Sequence, residues 1–400
     1  MIRSFGWAFL HHGVGRGALF VFFLALPWLM GAEDVGRLTF TYTLLLLILQ
    51  PLLDTAVGTI VVKYTAREVL PRVRHVLRFL GKALLFAAAS IAAASVLIPG
   101  QFPVLPLLGA AVLCSISLNA VFAWRRGLGD FRMEGIVGTA HKVMVVLALA
   151  LLASSGLTGP AAAATAMLVG IIGAWALAGI TFRTPLRQFS RLMTSAPCDD
   201  TSTTDLLREG IVLGAVGVVG LLYLRIDVVM LGLLNGDAEV GLYFTAARVL
   251  EASFIVPHIV MLVIFPLLAK SNDVQHLLRR TIVGLGLSGV LAALALAGAG
   301  RWVVPQIYGA DWARTGDILV LLSLAAPAVF LGYCLTQALV AHDLQERYLV
   351  VALIGLILNI GLNLFLIPQF GGMGAAGATV ITEIVVTAGA GAALFLRDRS

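Results

Sequence analysis

Residues 210–257 read GIVLGAVGVVGLLYLRIDVVMLGLLNGDAEVGLYFTAARVLEASFIVP. Two long apolar runs flank a tight polar turn at Asn235-Gly236-Asp237, which predicts a pair of membrane-spanning helices. Four ionisable side chains stand inside those runs: Arg225, Asp227, Arg248 and Glu251. A charge at the centre of a membrane helix costs about 2.5–3.5 kcal/mol on insertion scales, so each must face protein or water rather than lipid. They are the first candidates for function.

The rest of the chain has the same character. Of its 400 residues 60% are hydrophobic and 12% charged, and the mean hydropathy is +0.99. Apolar runs of bilayer length predict an all-α polytopic membrane protein of about twelve spans, near residues 7–30, 38–62, 79–98, 103–124, 135–156, 160–182, 210–234, 241–269, 281–300, 316–341, 348–367 and 374–396. The net charge of +6 does not mark a nucleic-acid binder, because the basic residues sit in short inter-helix loops. With both termini in the cytoplasm, about twenty of the 27 Lys and Arg residues fall in or beside cytoplasmic loops. In that orientation Trp28, Trp302 and Trp312 lie near the outer interface, with Trp7 and Trp124 near the inner one, as an aromatic belt requires. The first 30 residues lack a short apolar region followed by a small-residue cleavage site, so the first span is expected to remain as an uncleaved anchor. Cys114 and Cys334 fall in spans and Cys198 in a loop, with no obvious disulfide pair.

The longest interruption, residues 183–209, is expected to be a cytoplasmic linker. Its first part suits a short amphipathic helix at the headgroups, and Ser202-Thr203-Thr204-Asp205 suits a helix cap. It separates an N-terminal six-helix lobe, residues 1–182, from a C-terminal one, residues 210–400. A shift of 205 residues aligns Leu29-Met30-Gly31 with Leu234-Asn235-Gly236, and Val35-Gly36 with Val240-Gly241. Six spans per half make the repeat parallel, about an axis along the membrane normal, with a central cavity lined by the first span of each lobe.

Arg16 and Arg225 lie within those first spans, and Arg248 in span eight. A guanidinium suits phosphate because its planar fork donates paired hydrogen bonds and stays charged in a low-dielectric site. These three are the candidate substrate-binding residues of a cationic cavity for an anionic headgroup such as a diphosphate, with Lys142 as a further candidate. The structural alternative has Asp227 holding Arg248, Arg248 pairing with Glu251 three residues on, and Arg225 reaching a carbonyl or carboxylate that its own surroundings in sequence do not supply. Asp54, Asp227, Glu251 and Glu383 are candidates for ion coupling or for structural pairing. His141 and His258 read as satisfied donors, and no spacing of histidines and acids suggests a metal site. No cofactor and no catalytic residue is expected.

The motif Leu222-Tyr223-x-Arg225-x-Asp227, then the turn, Val240-Gly241-x-Tyr243 and Ala246-Ala247-Arg248, resembles the polysaccharide flippases (Wzx type) of the multidrug/oligosaccharidyl-lipid/polysaccharide (MOP) exporter superfamily. A second stretch, residues 359–379, resembles the same family through Asn359-x-x-x-Asn363, Ile367-Pro368 and Gly374-Ala375-Ala376-x-Ala378-Thr379. Physically, its asparagines suit hydrogen bonds across a helix interface and its small residues suit close helix approach, which assigns it to the fold rather than to the site. The resemblance implies a two-lobed MATE-like fold. It also implies transfer of a polyprenyl-diphosphate-linked oligosaccharide across a bacterial inner membrane by alternating access, for lipopolysaccharide or exopolysaccharide synthesis, with membrane lipids and glycan polymerase or export proteins as partners. Twelve spans set the chain apart from the lipid II flippase branch, which has two more. Two alternatives stand beside this one. A cation-coupled multidrug antiporter of the same superfamily should need acids in the N-terminal lobe, where Asp54 is the one acid clearly inside a span. A membrane-embedded glycan polymerase or ligase usually carries a large catalytic outer loop; the longest expected here, residues 300–315, has no paired carboxylates and no nucleophile with a base.

Overall fold

A computed structural model of the chain describes residues 13–97, 103–194, 203–270 and 275–395. Among these residues the structure is helical throughout. In chain order the helices are α1 (Gly15–Leu29), α2 (Ala32–Ala66), α3 (Leu70–Leu97), α4 (Leu105–Gly127), α5 (Glu134–Ser154), α6 (Pro160–Thr181), α7 (Arg183–Thr194) and α8 (Thr203–Leu234). There follow α9 (Asp237–Ser253), α10 (Ile255–Lys270), α11 (Gln275–Gly298), α12 (Ala313–Ser323), α13 (Ala326–Ala341), α14 (Gln345–Phe370) and α15 (Gly372–Phe395).

Ten helical stretches among the described residues are long and apolar enough to cross a membrane, α9 running on into α10 as one of them, and the bent pair Ala310–Ser323 and Ala326–Ala341 would make eleven. α1 is a shorter apolar helix, and the beginning of the first expected span lies outside the described residues. Large apolar side chains on many of these helices face outward, among them Phe86, Leu151, Leu294, Ile357 and Phe365, each more than 60% exposed. In water such a surface would aggregate; a bilayer solvates it. The protein is a multi-pass membrane protein.

Three local features depart from the sequence expectation. Span ten, expected as one helix over residues 316–341, is broken between α12 and α13 with a 46° bend. Pro327, in the first turn of α13, supplies no N–H to continue the ladder from α12. The outer segment 300–315, expected as a loop, is largely helical, with a π-helical turn Ala299–Val303, then Val304–Tyr308 and Ala310–Trp312. It folds back because Gly300 and Gly316 meet backbone to backbone, so that a Cβ on either would overlap the other's carbonyl. Trp312 and Trp124 are buried rather than belted at an interface: Trp312 packs on Tyr308, and Trp124 is covered by Phe189 of the amphipathic helix α7.

The chain divides into two compact units, Met1–Gly31 with Arg37–Leu221, and Ala32–Gly36 with Leu222–Ser400. In the first, α4, α5 and α6 enclose a core of Leu118, Val121, Met133, Ile171 and Ala174. Small residues set the helix spacing here: Gly170 of α6 lies on Val145 of α5, and Gly109 of α4 on Ile91 of α3. Glu209, near the start of α8, ties to this unit, accepting from Lys63 Nζ at 2.6 Å and from the Tyr64 hydroxyl at 2.8 Å. In the second unit, α10, α11, α13 and α15 share a core around Met261, Leu285, Phe330 and Leu339. The opening of α2 belongs to this unit and meets the opening of α9 reciprocally. A Cβ on Gly36 would overlap the Asp237 carbonyl, and one on Gly241 the Ala32 carbonyl. The pairs 32/237 and 36/241 are each 205 apart, the offset at which the two halves of the sequence align.

Candidate functional site

In the second unit α8 and α9 run antiparallel from the turn at Asn235, with Gly236 at φ 86°. Arg225 and Asp227 leave α8 on opposite faces, being about 200° apart around the helix. Arg225 Nη1 donates to Glu251 Oε1 at 2.9 Å, and Arg248 Nη1 donates to Glu251 Oε2 at 2.7 Å. Arg248 also stacks on the Phe244 ring, 4.4 Å from guanidinium carbon to ring centroid. One carboxylate therefore serves two guanidiniums. The side chains of Arg225 and Arg248 retain 17% and 15% exposure, and Glu251 30%. The carboxylate that Arg225 reaches is Glu251, 26 residues away in sequence and brought to it by the hairpin of α8 and α9.

Asp227 does not hold Arg248, as the structural alternative had it. Its Oδ2 accepts from the Tyr243 hydroxyl at 2.7 Å and from Thr379 Oγ1 at 3.0 Å, and its Oδ1 accepts from Asn363 Nδ2 at 2.6 Å. Asn363 Nδ2 also lies 2.8 Å from Asn359 Oδ1, and Asn359 Nδ2 is 3.5 Å from Thr382 Oγ1. All of these donors are neutral. Asn363 Oδ1 is buried without a hydrogen-bond partner, so the oxygens gathered here exceed the available donors, an arrangement that a proton or a hard cation would complete. The asparagines and Thr379, assigned to the fold from sequence, are thus the immediate surroundings of Asp227. The signal was present as polar residues four apart within apolar helices: Tyr223/Asp227, Asn359/Asn363 and Thr379/Glu383. Glu383 itself, on α15, accepts from the Tyr223 hydroxyl at 2.9 Å.

The first unit has a separate polar cluster. Asp54 stands in a π-helical turn of α2, Gln50–Ala56, opened at Pro51. It accepts from Asn119 Nδ2 at 3.3 Å, and Arg126 and Glu134 act on it electrostatically. Glu134 begins a second π-helical turn, Glu134–Gly138, and lies 3.5 Å from Arg126 Nη1. Lys142, one of the sequence candidates, lies along α1 with Nζ 3.1 Å from where a Gly15 Cβ would stand, and it acts on Glu134. The Arg16 side chain lies outside the described residues. Asn119, Arg126 and Glu134 were not singled out from sequence. His258, read as a satisfied donor, lies 2.9 Å through Nδ1 from the Tyr333 hydroxyl. Among the described residues no three His, Cys, Asp or Glu side chains converge, and Cys114 and Cys334 are free thiols.

A family model described as "Polysaccharide biosynthesis protein" matches residues 1–272. Two relatives come from Haloferax volcanii. A probable flippase, AglR, is 32% identical over 40% of this chain and 35% of its own length. A probable low-salt glycan biosynthesis flippase, Agl15, is 26% identical over 42% of this chain and 37% of its own. The matched stretch is thus a little over a third of each archaeal relative. Among solved structures, the lipid II flippase MurJ in an inward closed conformation superposes with TM-score 0.69 at 13% identity, over 100% of this chain and 88% of that one. An inward-facing multidrug resistance MATE transporter of the MOP superfamily superposes with TM-score 0.72 at 13% identity, over 96% and 93%. At that identity the likeness shows the fold: an all-helical membrane protein of the MOP type.

Proposed function

The chain belongs to the polysaccharide biosynthesis protein family, and on that premise we propose that it is a flippase for a polyprenyl-diphosphate-linked oligosaccharide. In this proposal it moves the lipid-linked glycan by alternating access from the cytoplasmic to the outer leaflet of a bacterial cytoplasmic membrane, for cell-surface polysaccharide assembly.

The observation that carries the reading is the sharing of Glu251 by Arg225 and Arg248. A diphosphate must be drawn out of water into the protein, and only charge-assisted hydrogen bonds offset that desolvation. Two guanidiniums gathered at one carboxylate, one of them held against the Phe244 ring, are the charge-assisted donors proposed to meet it, and the carboxylate holds the pair together when the ligand is gone. Arg16 and Lys142 are proposed as further cationic substrate-binding residues. Asp227, ringed by neutral donors, is proposed as an ion-coupling residue. Asp54 is not used in this reading; it would become central if the protein were an antiporter of amphipathic cations.

The test is binding of a polyprenyl-diphosphate glycan to the purified full-length protein, beside Arg225→Ala, Arg248→Ala and Arg16→Ala, with folding followed by monodispersity and melting temperature. Loss of one charged hydrogen-bonding partner, worth about 1.5–3 kcal/mol, should weaken binding about 10- to 100-fold in well-folded variants. Unchanged binding in all three variants would remove the cationic site. Wild-type protein that ignores the diphosphate lipid but binds amphipathic cations would move the function to antiport.

A further inference from the structure

Glu383 is a charge-bearing group that the diphosphate site does not use. It lies eleven residues into α15 from Gly372, about 17 Å along the helix at 1.5 Å per residue and so near the middle of a bilayer. Its hydrogen-bond partner is the Tyr223 hydroxyl at 2.9 Å. Among the described residues no Lys, Arg or His reaches it. A second carboxylate does act on it: Asp227, one helical turn beyond Tyr223 on α8, bonded to Thr379, one turn before Glu383 on α15. The two acids thus form successive layers of one polar column, Tyr223 with Glu383 in one and Asp227 with Thr379, Tyr243 and Asn363 in the next.

The helices packed against this column add no positive charge to it. α14 contributes Asn359, Asn363 and Tyr348, the last acting on Tyr223. α9 contributes Tyr243; its Arg248 and Glu251 are engaged with each other and with Arg225. α13 carries Tyr333 and Cys334 as its titratable groups, and the charges of α12, Arg314 and Asp317, are exposed near the outer end. Two carboxylates within electrostatic reach in a low-dielectric interior, with no cation beside either among the described residues, cannot both stay ionised cheaply. The donors are unequally divided. Asp227 receives three hydrogen bonds, which suit an anion, and Glu383 receives one, which suits a neutral acid.

We propose that Glu383 is a proton-binding site of the transport cycle, coupled to Asp227 one turn away and oriented by Tyr223. Glu383 carries the proton while Asp227 is ionised. When Asp227 is neutralised by a proton or a cation, the repulsion that keeps Glu383 protonated is relieved and its proton is released. This deepens the reading of Asp227 as a coupling residue and names the ion that Glu383 contributes.

The test is infrared difference spectroscopy of the full-length protein in liposomes during a pH titration, following the carboxylic-acid C=O stretch. The same preparations are assayed for diphosphate-lipid binding. Wild type should show a titrating acid band that Glu383→Gln lacks. Asp227→Asn should move the midpoint of that band to lower pH by about one unit or more, because a neighbouring negative charge is gone. Tyr223→Phe should move it to higher pH, because a donor to the ionised form is gone, an effect that mere packing at Tyr223 would not produce. A band unchanged in Glu383→Gln overturns the assignment, and a midpoint unmoved in Asp227→Asn overturns the coupling. The band with these shifts in a protein that fails to bind the diphosphate lipid sustains the proton site while removing the proposed substrate. Glu383→Gln preserves shape, and monodispersity shows whether it folds.

Discussion

Arg225, Asp227 and Asp130 show how differently a charged side chain is held in this protein. Arg225 is offset by a carboxylate that another arginine shares, and Asp227 by neutral donors alone. Asp130 stands outside the spans, in the turn between α4 and α5. Partial burial works to raise its pKa, but the Arg132 amide, which donates at 3.0 Å, and the Arg125 guanidinium outweigh it and hold the carboxyl below its ordinary value. A depressed folded value means that Asp130 adds stability above the unfolded carboxyl pKa of about 3.9, and that the contribution fades as pH falls through the folded value. Wild type should therefore melt higher than Asp130→Asn at pH 7, and the gap should narrow as the pH falls below the unfolded carboxyl value and on through the lower folded one. A gap independent of pH would mean that the carboxylate charge is not what holds the turn. In sequence Asp130 simply falls between the expected spans 103–124 and 135–156; that Arg125, five residues earlier, clasps it becomes visible only once α4 ends at Gly127 and the backbone turns.

At the scale of the element, the reciprocal contact of α2 and α9 is the sharpest constraint. Gly36 and Gly241 place each helix backbone against the other, with no room for a methyl group on either. Gly36→Ala and Gly241→Ala should each force the helices apart and cost about 1–3 kcal/mol, the usual penalty of overpacking. Gly17→Ala and Gly220→Ala, where a Cβ meets nothing within 4 Å, should be neutral or slightly stabilising, since alanine favours helix over glycine. Melting temperatures of the four variants in one detergent would decide it, and equal behaviour would mean that the crossing is looser than the backbone spacing shows. The spacing of these glycines was legible as an internal repeat. Their mutual contact was not, because a sequence offset specifies equivalence and not which equivalent positions touch. Elsewhere the periodicity of hydropathy found the helices but missed breaks that depend on single backbone groups, as at Pro327 between α12 and α13.

At the scale of the whole molecule, the outward apolar surface requires a bilayer, and we propose that the basic loops set its orientation. The proposed orientation has both termini in the cytoplasm, the α4–α5 turn inside, and the α5–α6 and α11–α12 connections outside. In a variant with Cys114, Cys198 and Cys334 replaced by serine, single cysteines at Ser155 or Asp311 should react with an impermeant maleimide on intact cells. One at Leu128 should react only after the membrane is opened. The reverse pattern would invert the molecule and with it the proposed direction of transport.

Composition and the run lengths of apolar residues, by themselves, determined that this is a polytopic helical membrane protein, since nothing but a bilayer accommodates so much apolar surface in segments of that length. They also placed Arg225, Asp227, Arg248, Glu251 and Glu383 inside spans, where their cost marks them out. Only the tertiary structure decided which partner meets each of them. Glu251 is 26 residues from Arg225, Thr379 is 152 from Asp227 and Glu383 is 160 from Tyr223. Helical periodicity fixes the face on which a side chain leaves its helix. It is the packing of helices against one another that fixes what that face meets, and so whether a charge is shared among arginines, ringed by hydroxyls and amides, or met by a single hydroxyl.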